Sequence, residues 1–364
     1  MGIPLENAEK ATLSETENVS SVIEDFEDYD LYLDKKSENN IITTVEPGSN
    51  EETVSLFGDG VTFYTGEMIS DLNAKGKTSC EVKVVVYLKW RATQNDSSAE
   101  ANFKLYSGSA LVEQYTQDLG TPQDGGFFSG GGSWQPYNIP LEVDCDGFTV
   151  VNGDRLRLDI EATASCESGG SGLPGATCEV NMAYGGTVGN DYSRIELRAN
   201  ALAGSKVKVH YQGEGWSELE VTEWSPTHRL EKRTMQFSID VRDAFGRADI
   251  DKIELFLTTP NEANTEFEKE FNDSELKLDN NGLVGNYTYT YDSGITPGLY
   301  PLTMVITDIQ GHTINYNHPL GMTFREHDIY LDFPPNQINR LLVAPGQTST
   351  IELILEHTGA LTSD

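Results

Sequence analysis

Between residues 155 and 162 the chain reads Arg-Leu-Arg-Leu-Asp-Ile-Glu-Ala, with apolar and charged positions in strict alternation. A period of two puts Leu156, Leu158, Ile160 and Ala162 on one face of an extended strand and the charges on the other. That is the signature of a sheet packed on one side only. Similar runs, rich in Val, Thr, Tyr and Phe, recur at 62–65, 81–90, 101–106, 111–116, 137–143, 148–151, Cys178–Tyr184 and 193–197. Turn signals such as Ser107-Gly108-Ser109 and Asn152-Gly153-Asp154 separate them. No stretch keeps helical spacing over three turns. The spacing predicts a two-sheet sandwich of the jelly-roll kind over residues 49–203.

Strand patterns continue after residue 203 at 206–211, 218–222, Thr234–Val241, 253–257 and 287–291, with turns at Asp243-Ala244-Phe245-Gly246 and Asp279-Asn280-Asn281-Gly282. The unit ends on Gly298-Leu299-Tyr300, alternating apolar residues, then Asp308-Ile309-Gln310-Gly311. This ending resembles the last strands of Ig-like modules in secreted prokaryotic proteins, and implies an Ig-like sandwich over 204–326. The antibody-type Cys…Trp…Cys core is absent from it. From 327 on, a strand at 329–333, then Leu342-Val343-Ala344-Pro345-Gly346-Gln347-Thr348, a strand at 349–355 and Thr358-Gly359 follow. That order resembles the opening of bacterial and archaeal surface modules of the CARDB or NEW3 type. Three strands cannot bury a core of their own, so residues 327–364 are expected to begin a further sandwich that continues past Asp364.

Charge changes the picture next. The chain has 364 residues with 58 Asp and Glu against 25 Lys and Arg, a formal net charge of −33. The excess is −9 over 1–48, −11 over 49–203, −9 over 204–326 and −4 over 327–364, so it is spread over every piece. A uniform acidic surface suits high salt, as in a halophilic protein, and rules out the phosphate contacts of a nucleic-acid binder. No apolar run is long enough to span a bilayer. The first ten residues, MGIPLENAEK, carry no signal-peptide apolar region. Residues 1–48 are densest in acid around Glu24-Asp25-Phe26-Glu27-Asp28-Tyr29-Asp30 and are expected to form an acidic linker or disordered arm. The fold class expected is all-β: tandem antiparallel β-sandwiches after a flexible acidic arm.

All four cysteines, Cys80, Cys145, Cys166 and Cys178, fall in the second piece. An even count in one β-rich unit predicts two disulfides and an oxidising compartment. Cys166 and Cys178 flank a Gly-rich loop, which leaves Cys80 to pair with Cys145. Zinc is the competing reading, but there is no Cys-x-x-Cys spacing and no histidine between 49 and 203. Sequons at Asn18, Asn95, Asn272 and Asn286 fit an exported chain.

Candidate chemistry is sparse. The six histidines, His210, His228, His312, His318, His327 and His357, stand singly near predicted turns, where solvated side chains are expected. No Gly-x-Ser-x-Gly elbow or phosphate-binding loop occurs. Glu218-Leu-Glu220-Val-Thr-Glu223 resembles the Glu-x-Asp-x-x-Glu strand of laminarinase-type glycosidases, with Glu in place of the middle Asp. A solvated acidic strand is the plainer reading. The segment from Asp124 to Tyr137 sets Phe127, Phe128, Trp134 and Tyr137 among glycines. Such aromatics either stack on sugar rings or tuck over the sandwich end and plug its core. Trp216 and Trp224 are expected to anchor an interdomain contact. Acid-rich turns at Asp144-Cys145-Asp146-Gly147, at Asp240 and Asp243, and at Asp249-Ile250-Asp251 offer hard oxygen ligands for a structural calcium, though Asp favours such corners anyway.

These features suggest a non-catalytic modular protein of the extracellular space or cell surface, acting in adhesion, envelope structure or domain presentation, with glycans or other surface proteins as partners. The alternative is a carbohydrate-binding accessory region of a larger secreted hydrolase.

Overall fold

The computed structural model describes residues 26–357 apart from 59, 79, 93–96, 123–132, 167–176, 189–190, 203–204, 214, 217–222, 225–233, 261–263, 280–281, 291–297, 318–320, 325–328 and 333–353. The described chain is nearly all β. The first unit opens with β1 (Glu27–Lys36), β2 (Asn39–Thr43), β3 (Glu52–Ser55), β4 (Val61–Tyr64) and β5 (Leu72–Lys75). It continues through β6 (Glu81–Ala92), β7 (Ser98–Ser107), β8 (Ala110–Asp118) and β9 (Gln135–Glu142). Strands β10 (Phe148–Val150), β11 (Leu156–Ser165), β12 (Cys178–Tyr184) and β13 (Arg194–Asn200) complete it.

These strands form one hydrogen-bonded network in the order β3-β12-β6-β13-β1-β2-β4-β11-β7-β8, with β5, β9 and β10 branching from it. The network wraps a single core. Leu156, Leu158 and Ile160 are fully buried on the inner face of β11, as their alternation requires. Val82, Val84, Val86 and Leu88 on β6 face them, with Trp90 at 1% exposure and its Nε1 donating to the Gly120 carbonyl at 3.2 Å.

Residues 27–43, expected as part of a flexible arm, are instead two strands of this unit. β1 pairs with β13 from Glu27↔Ala199 to Tyr32↔Arg194 and then with β2 from Tyr32↔Thr43 to Lys36↔Asn39. Tyr29, Leu31 and Leu33 on its inner face are all at 0% exposure, and each buried side chain contributes about 1.5–3 kcal/mol. The acidic residues between them point outward and find cations: Asp28 meets Lys77 and Arg198, both at 3.4 Å, and Asp30 meets Arg194 at 3.6 Å. The run reads as disordered only when the charges are counted without the alternation beneath them.

Both predicted disulfides are formed. Cys80–Cys145 spans 65 residues and Cys166–Cys178 spans 12.

The second unit has β14 (Lys206–Gly213), β15 (Gly215–Trp216), β16 (Glu223–Trp224), β17 (Thr234–Val241), β18 (Ile250–Thr258) and β19 (Thr265–Glu270). After them come β20 (Leu276–Asp279), β21 (Gly282–Thr290), β22 (Gly298–Tyr300), β23 (Leu302–Asp308), β24 (Thr313–Asn317) and β25 (Met322–Phe324). Sheet β15-β14-β17-β21-β20 and sheet β19-β18-β23-β24 share a second core, with β16-β25-β22 as a smaller third sheet. Phe237 of β17 meets Phe267 of β19 edge-on, with ring centroids 5.0 Å apart. Beyond it, β26 (Ile329–Asp332) pairs antiparallel with β27 (Ile354–His357).

The two cores meet without a linker. Ala201 belongs to the first and Leu202 to the second. Ala244, from the turn after β17, is buried at 1% in the first core although its neighbours in sequence belong to the second unit.

Two outcomes follow. A chain that begins at residue 49 loses β1 and β2, opens the first core, and is expected to lack a cooperative thermal transition for that unit by calorimetry. Replacing Cys80 and Cys145 together by Ser is expected to lower stability in urea denaturation by about 4 kcal/mol, against about 3 kcal/mol for the Cys166 and Cys178 pair, because the larger loop restrains the unfolded chain more.

Candidate functional site

Where the units join, the turn at Asp243-Ala244-Phe245-Gly246 lies against the first sandwich. Gly246 has φ +94°, a left-handed conformation that lets the chain reverse there without a Cβ penalty. The Ala244 N–H donates to the Ala201 carbonyl at 2.7 Å, and the Ile69 N–H donates to the Ala244 carbonyl at 3.2 Å. Phe245 packs on Tyr29 of β1 at 5.7 Å between ring centroids. The second turn, 308–312, completes the contact. Gln310 pairs with the β1 backbone as another strand would: its Oε1 accepts from Asp30 N–H at 3.2 Å and its Nε2 donates to the Asp30 carbonyl at 2.7 Å. The same Nε2 reaches the Thr44 carbonyl at 2.9 Å.

Behind these turns lie three aspartates at 2% exposure or less, Asp243, Asp249 and Asp308. Asp308 is well supplied: Oδ1 accepts the N–H groups of Gln310 and His312 at 2.9 Å, and Oδ2 meets His312 Nδ1 at 2.8 Å. Asp243 accepts the Phe245 N–H on Oδ1 at 2.7 Å and has no partner on Oδ2. Neither oxygen of Asp249 accepts a hydrogen bond of regular geometry. Burial, then the charge of Asp249, pushes the Asp243 carboxyl well above the ordinary range. Burial likewise pushes Asp249 up to about 6; the nearby Thr44 hydroxyl offsets part of this, and the charge of Asp308 adds to it. Tyr29, buried beside all three, is raised chiefly by burial and then by the charge of Asp308.

A cleft of about 690 Å³ opens at this junction, lined among others by Asp28, Asp30, Glu46, Lys77, Gln310 and His312. His312, expected in solvent, is instead only 18% exposed and packs tilted against Tyr29, with ring centroids 4.5 Å apart. The reason is the turn after β23, which carries its ring across to the first unit and onto the Asp308 carboxylate. An Asp–His pair is part of an acyl-transfer triad, but among the described residues no Ser, Thr or Cys is bonded to the other ring nitrogen of His312. The cleft lining carries three carboxylates, Asp28, Asp30 and Glu46, against the ammonium of Lys77.

The aromatic segment divides. Phe127 and Phe128 lie outside the described residues. Trp134 is half-buried on the outer side of β6, against Val85, Tyr87, Ala183 and Val188, with Lys89 Nζ 5.8 Å from its ring. Tyr137, opposite Val86 in the β6–β9 register, packs on the main core, which raises its phenol pKa by burial. Trp134 and Tyr137 thus sit on opposite faces of the sheet and form no shared platform. The cause is the period of two: Trp134 joins Val85 and Tyr87, the outward residues of β6.

Glu218 and Glu220, with the sequons at Asn18 and Asn95, also lie outside the described residues. Asn286 is exposed on β21 with Oδ1 accepting from Ser238 Oγ at 2.7 Å. Asn272 is exposed too, and its Nδ2 donates to Glu275 at 2.7 Å. Trp216 and Trp224 lie on β15 and β16, and their side chains fall outside the described residues; among the described residues Tyr29, Ala244, Phe245 and Gln310 join the two units. Among the described residues no three His, Cys, Asp or Glu side chains are placed to hold a metal ion. Asp144 caps its own turn through the Asp146 N–H at 3.1 Å, and Asp240 binds Arg242 at 3.2 Å. The junction was legible in the sequence only as two turns, Asp-Ala-Phe-Gly and Asp-Ile-Gln-Gly. That both reach one tyrosine in the acidic segment has no local signal.

Among the described residues no helix is long and apolar enough to cross a membrane. No family model matches the chain, and no curated protein matches it. Among solved structures, an aminopeptidase from the marine sediment archaeon Thaumarchaeota archaeon is similar at 10% identity and TM-score 0.31, over 48% of this chain and 37% of that one. A DUF4785 family protein from Legionella pneumophila gives 12% identity and TM-score 0.22, over 85% of this chain and 67% of that one. A β-glucuronidase from Parabacteroides merdae gives 10% and 0.22, over 68% of this chain and 28% of that one. The chain thus spans about 37% of the length of the archaeal aminopeptidase it matches. These likenesses are too distant to define a shared fold, and none of them assigns the chain to a family.

Proposed function

We propose that this region is a non-catalytic part of a modular extracellular or cell-surface protein, in which paired β-sandwiches hold neighbouring parts at a fixed spacing. The observation that carries this reading is the linkerless junction. Ala244 of one sandwich is buried in the core of the other, and Gln310 bonds to the backbone of β1. A joint of that kind transmits orientation, which a flexible linker cannot. Two cystine bridges fit an oxidising compartment. The dispersed acidic charge keeps such a surface solvated in salt.

A second reading, a carbohydrate-binding region of a larger hydrolase, is favoured by one feature. Trp134 is half-exposed on an outer sheet face, beside Lys89 and the Tyr87–Asp191 hydrogen bond of 3.1 Å. An indole face with polar neighbours suits the stacking of a sugar ring.

Small-angle scattering separates a rigid pair from a flexible one. Ala244→Arg places a guanidinium where a methyl group is buried, and is expected to cost at least about 3 kcal/mol and to enlarge the radius of gyration. An unchanged scattering profile for this variant would count against a spacer held by that turn. A glycan array probed with the full chain and with Trp134→Ala tests the second reading. Binding that the substitution abolishes would favour carbohydrate recognition, whereas a blank array from folded protein leaves the spacer.

A further inference from the structure

We propose that the junction between the two sandwiches is a proton-operated latch: with Asp243 and Asp249 protonated the turns of the second unit stay seated on the first, and their ionisation at rising pH loosens the contact. The inference concerns the same joint that carries the proposed function and rests on that joint being formed.

The geometry comes first. Asp243, Asp249 and Asp308 are at 0%, 2% and 2% exposure, behind the turns that make the interdomain hydrogen bonds. Asp243 Oδ2 and both oxygens of Asp249 face no donor of regular geometry. A buried carboxylate with fewer donors than its lone pairs need is costly as an anion and far cheaper as a neutral acid. The backbone of Asp249 is part of the latch as well, since its carbonyl accepts from the Ile309 N–H at 2.8 Å, tying the two turns together.

The surrounding groups do not supply the missing positive charge. From β1 comes Tyr29, whose raised phenol stays neutral through the range of interest, while Asp30 points outward to Arg194. Thr44 offers a hydroxyl and no charge. From the 308–312 turn, Asp308 adds a negative charge that opposes ionisation of both other acids, and His312 favours ionisation of Asp249. Arg247, in the same turn as Asp249, is drawn away to Asp273. In the cleft lining Asp28, Asp30 and Glu46 outnumber Lys77. Among the described residues no set of three His, Cys, Asp or Glu side chains is placed to hold a metal ion.

The sign follows from linkage. Both carboxyls are raised in the folded protein, Asp249 from 3.8 to about 6 and Asp243 in the same direction. Their contribution to the folded junction is fully present below the ordinary Asp value and is lost as pH rises through about 6 and above. The latch is tight in mild acid and slack in alkali.

Native-state hydrogen exchange on the full chain, at fixed ionic strength with EDTA present, reads this out at the Ala244 and Ile309 amides. After correction for intrinsic exchange, protection is expected to fall at least about tenfold between pH 5 and pH 8. Asp249→Asn, a neutral isostere of the protonated acid, is expected to retain at pH 8 the protection seen at pH 5. Asp251→Asn removes the same charge from an exposed site and is expected to follow the unsubstituted chain. If Asp249→Asn does not fold, Asp243→Asn gives the same reading. Protection that does not change with pH would overturn the proposal. So would an Asn variant less protected than the unsubstituted chain at pH 8, or calcium restoring protection there, which would make a cation and not a proton the neutralising partner.

Discussion

Tyr29 sits where the structure is decided. On one side of it, β1 supplies Leu31 and Leu33 to the first core and joins β13 to β2, so the network of strands closes around its interior. On the other side, its ring meets Phe245 and His312 from two turns of the second sandwich. A single buried aromatic therefore belongs both to the packing of one unit and to the attachment of the next. Its hydroxyl lies in low dielectric beside three carboxyls, which ties the electrostatics of the joint to the closure of the sheet.

That arrangement explains why the units are joined without a linker. The chain leaves the first core at Ala201 and enters the second at Leu202, which fixes where the second sandwich starts but leaves it free to swing. The swing is stopped by the turns after β17 and β23, held by Ala244, Phe245 and Gln310. Those turns need Asp at their first positions to bond their own N–H groups, as Asp243 does for Phe245 and Asp308 for Gln310 and His312. Docking the turns buries the carboxyls that shape them. The acidic joint is a consequence of turn chemistry carried into an interface.

The outer surface follows a different rule. Its acidic residues are mostly solvated or lie beside Lys and Arg side chains, as Asp28 and Asp30 do, and exposed pairs of this kind contribute little to stability. Trp134 and its neighbours Val85 and Tyr87 are the departure from this pattern, an apolar cluster on the outside of β6 separate from the main core. The same strand thus serves two faces, which accounts for its nearly unbroken apolar run from Val82 to Leu88.

Much of this was legible in the sequence. Alternation at 155–162 placed β11 and its buried face, Cys178–Tyr184 and Thr234–Val241 were read to the residue, and the cysteine count gave both bridges. These are local or combinatorial properties: period, turn residues and parity of a small set. The same logic was available for Tyr29-Asp30-Leu31-Tyr32-Leu33, but net charge hid the alternation, because composition describes the outward face and burial concerns the other. Beyond the reach of sequence were the meeting of residues 29, 243, 249, 308 and 312, and the separation of Trp134 from Tyr137. Each depends on which strands become neighbours and which face turns inward. The chain by itself determined strands, turns and disulfides, since those are set by residues close in sequence or few in number. Only the tertiary structure decided that two turns and an acidic strand form one joint, because burial and charge coupling arise from proximity in space.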